Sequence, residues 1–311
     1  MVGVMARLLD KDFFKDLLDG DLENCLDYVR TDDTLDLEIR ENYINIYYRG
    51  GNILKVNKKG NYYQYEFDYN YLKENSVLPK IELDKMKNLT DWNNYFPKAK
   101  QAMDFYFSEY RNEEREFQQL VVRENNYSSI ANGTDYFIID IEYDNRKNAR
   151  FDIIAVEWPS EASKRRLPKN YKPKLVVIEM KYGDGSLSGN AGMKKHDNDF
   201  SKFISNLTDL NNFKKEMLCL FRQKRALGLI PCLSKLNNAN EIIEFADDVK
   251  FAFLIANHDP ASQILTAELP LFDNIKVNFI VSNFMGYGIY NHCVYELSEF
   301  KRLFKNQIYA L

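Results

Sequence analysis

Hydrophobic and polar positions change period several times along this chain, and the changes mark its elements. Residues 8–30 carry Leu8, Leu9, Phe13, Phe14, Leu17, Leu18, Leu22, Leu26 and Val29 at helical spacing, with a break at Gly20. Alternation then takes over. Leu35, Leu37 and Ile39 interleave with polar residues, and Tyr43, Ile44, Ile46 and Tyr47 follow a turn at Glu41-Asn42. Gly50-Gly51-Asn52 and Lys58-Lys59-Gly60-Asn61 mark two more turns, so the stretch predicts a meander of three or four short strands. Residues 1–95 read as a smaller N-terminal α+β module. Residues 76–98, with Pro79 and Pro97, read as a connector holding a short helix at 81–88, and Trp92 is placed to pack the two parts together.

The second part, 96–311, opens on a helix over 98–124 whose apolar face is Phe105, Tyr106, Tyr110, Phe117, Leu120 and Val121. Residues 135–144 read as the first strand of a sheet. Two further short runs rich in β-branched residues, Phe151–Trp158 and Leu175–Met180, read as buried strands. Glycines and serines over 183–192 predict a flexible loop, followed by helices at 193–207 and 210–229. In the latter, Phe213, Met217, Leu220, Phe221 and Leu227 face inward, and Lys214, Lys215, Arg222, Lys224 and Arg225 make the outer surface basic. Strands return at 250–256, 276–283 and 287–296, and 298–309 is a terminal helix. The order predicts an α/β (α+β) fold with a mixed central sheet flanked by helices.

Candidate chemistry sits on the two apolar runs. Asp152 interrupts the first near its start, and Glu179 the second near its end, with Lys181 two residues on. Strand side chains alternate, so Glu179 and Lys181 share a face. If the runs pair as an antiparallel hairpin, Asp152 comes beside them. Two buried carboxylates raise each other's pKa unless a positive group neutralises them. A divalent ion on oxygen ligands does so, and Mg²⁺ typically takes one or two carboxylates plus waters and phosphate oxygens. Asp140 and Glu142, which share a face with Ile138, compete with Asp152 for the acidic role. Asp152 is preferred for its place at a strand start beside Glu179.

Asp152 followed by Glu179-Met180-Lys181 on the next strand resembles the core of the PD-(D/E)xK nuclease superfamily, although Arg150-Phe151 rather than a Pro precedes Asp152. The resemblance covers two strands directly and, with flanking elements, 101–256. It implies a restriction-endonuclease-like core and a Mg²⁺- (or Mn²⁺-) dependent nuclease acting on DNA, in restriction, repair or phage defence. Asp152 and Glu179 would hold the metal with help from the Met180 carbonyl, and Lys181 would assist the hydroxide. The preceding helix would add an acidic residue, for which Glu116 is the candidate. The helix after the second motif would bring Lys194 and His196 to the scissile phosphate. The loop 159–174, with Lys164, Arg165, Arg166, Lys169, Lys172 and Lys174 against only Glu161, suits a phosphate backbone. Cutting both strands of a duplex would favour a homodimer.

Composition narrows the alternatives. With 311 residues, 45% hydrophobic and 28% charged, the chain has ample core for one large or two modest domains. A net charge of −4 argues against a surface that is basic throughout, while leaving room for a local basic face. Cys25, Cys219, Cys232 and Cys293 form no CxxC pair, which points to reduced thiols in a cytoplasmic protein. No membrane span or signal-peptide core is expected. Two rival readings stand beside the nuclease. One is a catalytically inactive nuclease-like fold that binds DNA or protein. The other is an interaction protein in which the motif is a structural salt bridge.

Overall fold

The structure is a computed structural model. It describes residues 7–72, 83, 86, 88–145, 149–165, 171–234, 242–259, 261–272, 276–282 and 286–309, with only the backbone of Lys164 and of 305–309. The elements run α1 (Lys11–Asp19), α2 (Glu23–Thr31), β1 (Leu35–Arg40), β2 (Tyr43–Tyr48), β3 (Gly51–Lys59), β4 (Tyr62–Glu66), α3 (Leu89–Glu109) and α4 (Glu113–Asn126). They continue with β5 (Tyr136–Asp144), β6 (Arg150–Glu157), α5 (Ala162–Arg165), β7 (Leu175–Tyr182), α6 (Met193–Ser205), α7 (Leu207–Ala226) and α8 (Pro231–Ser234). The last are β8 (Lys250–Ala256), α9 (Gln263–Glu268), β9 (Val277–Ser282), β10 (Val294–Glu296) and α10 (Leu297–Tyr309).

The chain divides into two compact units. One is Met1–Arg123 with Cys219–Ser234, and the other is Glu124–Leu218 with Lys235–Leu311. The boundary therefore falls at 123/124 and not at 95/96, and a later segment returns to the first unit. The reason lies in α3 and α4. Asn88 and Asp91 form a capping box that starts α3 at Leu89, so 89–98 is helix rather than connector. Pro97 sits inside this helix, where its ring removes one backbone bond. Burial of Trp92, Tyr95, Phe96, Ala99, Ala102, Met103 and Phe107 outweighs that cost. Trp92 is a core residue of the first unit, against the rings of Tyr65, Tyr95 and Phe96. The single helix expected over 98–124 is two helices, broken after Tyr110. The short helix expected at 81–88 lies largely outside the described residues.

In the first unit, β1 to β4 form an antiparallel meander in sequence order. Gly50 joins β2 to β3 at φ +74°, and a Cβ there would come within 2.4 Å of the Arg115 backbone, so only glycine lets α4 approach. Gln119 of α4 fixes the contact. It accepts from the Gly50 N–H (2.7 Å) and donates to the carbonyls of Thr34 (2.9 Å) and Tyr47 (3.0 Å). Both faces of β1 are buried, including Asp36, Glu38 and Arg40. Lys224, expected on a basic outer surface, is fully buried and donates to Glu38 Oε1 at 2.6 Å. A buried carboxylate on a sheet needs a cation, and the returning segment supplies it.

The second unit holds a mixed six-stranded sheet, in the order β10-β9-β8-β7-β6-β5, flanked by helices. Strands β5, β6 and β7 are antiparallel neighbours, whereas β7, β8 and β9 run parallel. The central β7 is buried along nearly its whole length, which is why Leu175–Ile178 reads as an apolar run before Glu179 interrupts it. Helix α6 packs on the sheet through Phe200, stacked on Phe251 of β8 at 4.5 Å, and α10 through Phe300, stacked on Phe279 of β9 at 4.6 Å. The strand expected over 287–296 is reduced to the three residues of β10. No helix among the described residues is long and apolar enough to cross a membrane.

Candidate active site

The site is built by strand register. β6 and β7 pair antiparallel through Ile153↔Ile178, and the next step sets Asp152 opposite Glu179. The Met180 N–H donates to Asp152 Oδ2 at 2.8 Å, which ties the half-buried Asp152 side chain across the strand gap. Glu179 and Lys181 are each only 4% exposed. Lys181 Nζ donates to Glu179 Oε1 at 3.0 Å and to the Ala191 carbonyl at 2.9 Å. His196 Nδ1 lies 2.9 Å from the same Glu179 oxygen. The structure thus brings together three of the four expected catalytic residues, and adds His196 as a partner of Glu179.

The glycine- and serine-rich segment after β7 positions the last two contacts. It is a pair of tight turns rather than an open loop. The Met193 N–H donates to the Leu187 carbonyl (3.0 Å), Leu187 is fully buried, and Ser186 Oγ donates to the carbonyls of Tyr182 and Gly183. A Cβ on Gly192 would meet the Ser188 backbone at 2.5 Å. This compact turn holds the Ala191 carbonyl over Lys181 and starts α6 so that His196, one turn in, reaches Glu179. Strand and helix periods carry no signal for a backbone carbonyl as Lys181's second acceptor.

The two carboxylates differ electrostatically. Burial, then the charge of Glu179, pushes the Asp152 carboxyl well above the usual carboxylate range, against the Met180 N–H. Burial also raises Glu179, but the hydrogen bond from His196 and the charge of Lys181 outweigh it and hold Glu179 below its ordinary value. Glu142 adds to the load on Asp152. It lies between Ile141↔Ile153 and Tyr143↔Phe151, across from Asp152, and takes φ +54°, a left-handed conformation costly for a residue with a Cβ. Of the two rival acids of the sequence, Glu142 is thus a neighbour of Asp152, whereas Asp140, fully buried, pairs with Ile154.

This donor set suits a hard divalent cation. Burial and neighbouring charge hold Asp152 well above the usual carboxylate range, and it stands beside a carboxylate held below its own. Among the described residues, no group of three or more His, Cys, Asp or Glu side chains is arranged to hold a metal. The protein's share would be the two carboxylates, which is the usual share for Mg²⁺.

Other expected site residues are placed elsewhere. Glu116 belongs to the first unit, where its carboxylate accepts from Arg49 Nε at 2.8 Å. A half-buried guanidinium 67 positions away, shared with Asp104, pairs with it within the first unit. Arg165 turns inward instead of toward a phosphate. It donates to the carbonyls of Trp158 (3.1 Å), Thr134 (3.0 Å) and Asn132, and its guanidinium lies 5.0 Å from the Phe137 ring centre. Three unfilled carbonyls outcompete solvent for a planar, five-donor group. Lys194 lies over the Phe272 ring at 5.4 Å and 3.8 Å from Asp197. Arg166 and Lys169 lie outside the described residues, as does the Lys164 side chain. Lys172 and Lys174 pair with Glu244 and Asp248, each at 2.6 Å, so the basic loop is partly neutralised by an acidic segment. Comparison of the chain with protein-family models, with curated proteins and with solved structures yields no match.

Proposed function

We propose that the second unit is a Mg²⁺- or Mn²⁺-dependent phosphodiesterase acting on DNA, built on a core like that of the PD-(D/E)xK nucleases. The observation that supports this reading is the meeting of Asp152, Glu179 and Lys181 at one end of a mixed sheet. Asp152 and Glu179, with the Met180 carbonyl, would hold the ion, which when bound supplies positive charge against the phosphoryl oxygens and acidifies a water. The remaining work falls to the chain itself. Lys181, anchored by the Ala191 carbonyl, keeps an ammonium where negative charge develops in the transition state. His196 holds the Glu179 carboxylate in orientation and sustains its charge.

The test is cleavage of labelled single-stranded and duplex DNA in Mg²⁺ and in Mn²⁺ by the full chain and by Asp152→Ala and Lys181→Met. Each substitution should reduce cleavage by about 10²-fold or more, with the circular dichroism spectrum unchanged. Wild-type rates from either well-folded variant would remove the mechanism.

A second reading, the inactive binding scaffold, draws on the double claim on Glu179 Oε1. Lys181 and His196 both meet it, as in a self-neutralised structural cluster. That reading expects no cleavage and no metal-dependent rise in melting temperature.

A further inference from the structure

A cavity of about 780 Å³ in the first unit is lined by Asp68, Tyr69, Tyr71, Tyr106, Phe107, Tyr110 and Arg111. Its aromatic rings are ordered against one another. Tyr106 and Tyr110 stack at 5.0 Å and 29°, and Tyr71 meets Tyr106 nearly edge-on, at 5.1 Å and 84°. Tyr69 and Tyr110 remain 56% and 47% exposed, although each carries a large ring that folding ordinarily covers. Arg111 lines the cavity with its side chain 76% exposed, its Nη1 3.3 Å from Glu113 Oε1 and its remaining donors open to an anion. The carboxylate of Asp68 lines the wall and is fixed by the Asn70 N–H at 3.0 Å.

Ring faces set at right angles beside one guanidinium suit a flat ligand with an attached anion. A base can lie on a tyrosine face while Arg111 meets its phosphate, and stacking of this kind is how proteins engage unpaired strands. Asp68 repels a phosphate but accepts from a base amino group, such as the N4 amine of cytosine. A quaternary ammonium would also sit against tyrosines and an acid. The cavity's volume and the guanidinium of Arg111 in its lining argue against that occupant.

We propose that this cavity binds unpaired bases of a single-stranded nucleic acid, with preference for bases that present an amino group. The choice of nucleic acid among stacking ligands rests on the phosphodiesterase reading of the second unit. The stacking site itself stands on the first unit's residues.

The experiment is fluorescence anisotropy of the full chain with a short labelled single-stranded oligodeoxycytidine, in EDTA so that no cleavage occurs. Tyr110→Ala and Tyr69→Ala should each weaken binding by about 5- to 150-fold, the loss of one base stack. Tyr110→Phe, which keeps the ring, should bind within about two-fold of wild type, and an abasic strand of equal length should bind as weakly to wild type as the base-bearing strand does to Tyr110→Ala. Equal affinity for the abasic strand, no effect of either alanine, or displacement by tetramethylammonium would overturn the proposal. Because the assay omits metal, such a failure leaves the cleavage reading standing. Loss of that reading, seen as undiminished cleavage by Asp152→Ala, leaves the stacking measurement intact.

Discussion

Asp152→Asn should stabilise the metal-free protein at neutral pH and abolish its stabilisation by divalent ions. Burial and the Glu179 charge raise the Asp152 carboxyl in the folded state above the ordinary value of about 3.9. Between the two values the folded chain holds more protons than the unfolded one, so stability is greatest on the acid side and falls as pH rises through that window. Each unit of displacement is worth about 1.4 kcal/mol. Asn is neutral and nearly the same shape, and its Oδ1 can still accept from the Met180 N–H, so it removes the pH slope. Glu179 acts with the opposite sign. Held below its ordinary value, it contributes fully at neutral pH and loses that contribution on acidification, so it does not mask Asp152 above about pH 5. A bound ion reverses the penalty. At a concentration 100 times its Kd it adds about 2.7 kcal/mol to wild type. At about 2–4 °C per kcal/mol for a domain of roughly 150–250 residues, the melting temperature should rise by about 5–11 °C. The assay is calorimetry from about pH 5 to 8, in EDTA and in saturating Mn²⁺. A variant less stable than wild type in EDTA, or one with the same Mn²⁺ shift, would refute the electrostatic argument.

Two further outcomes follow from where the structure places charges that the sequence put elsewhere. Glu116→Gln should leave DNA cleavage within about two-fold of wild type in kcat/KM, because its partner is Arg49 in the first unit, and a loss of about 10²-fold would reinstate it in the metal site. Lys224→Met should cost about 1.5–3 kcal/mol in denaturant unfolding of the first unit, since it removes the shorter cation contact to a fully buried Glu38 and leaves its charge to Arg40 at 3.4 Å, and adding Glu38→Gln should recover part of that loss. An unchanged midpoint in the single variant would show that the pair has little influence on the fold.

Local rules account for what was legible. The period of two put Glu179 and Lys181 on one face, and the short apolar runs around Asp152 and Glu179 announced neighbouring strands whose antiparallel pairing brings the acids opposite. The turns at Gly20, Gly50-Gly51 and Lys59-Gly60 set the N-terminal helices and the meander for similar reasons. Helix boundaries were less legible where packing overrode propensity. Pro97 reads as a stop, yet the capping box before it and the aromatic residues around it carry α3 through.

Partner choice over long separations was not legible at all. Whether Glu116 meets a metal or Arg49, Lys224 meets water or Glu38, and Arg165 meets a phosphate or three carbonyls depends on which element arrives beside it, and helical or strand period carries no such information. The acid pair escapes this limit because its two members are consecutive strands of one sheet, so a single register decides their meeting. That same register explains why Glu142, and not a helical acid, is the third negative charge felt by Asp152. It occupies the corresponding rung on the next strand out. Asp152 thus feels repulsion from an acid on the strand to either side, and Lys181 enters the balance on it with the opposite sign. The more of that repulsion the fold sustains without a cation, the larger the stabilisation an added divalent ion must produce, which makes the Mn²⁺ shift the most direct measure of what this sheet end is for.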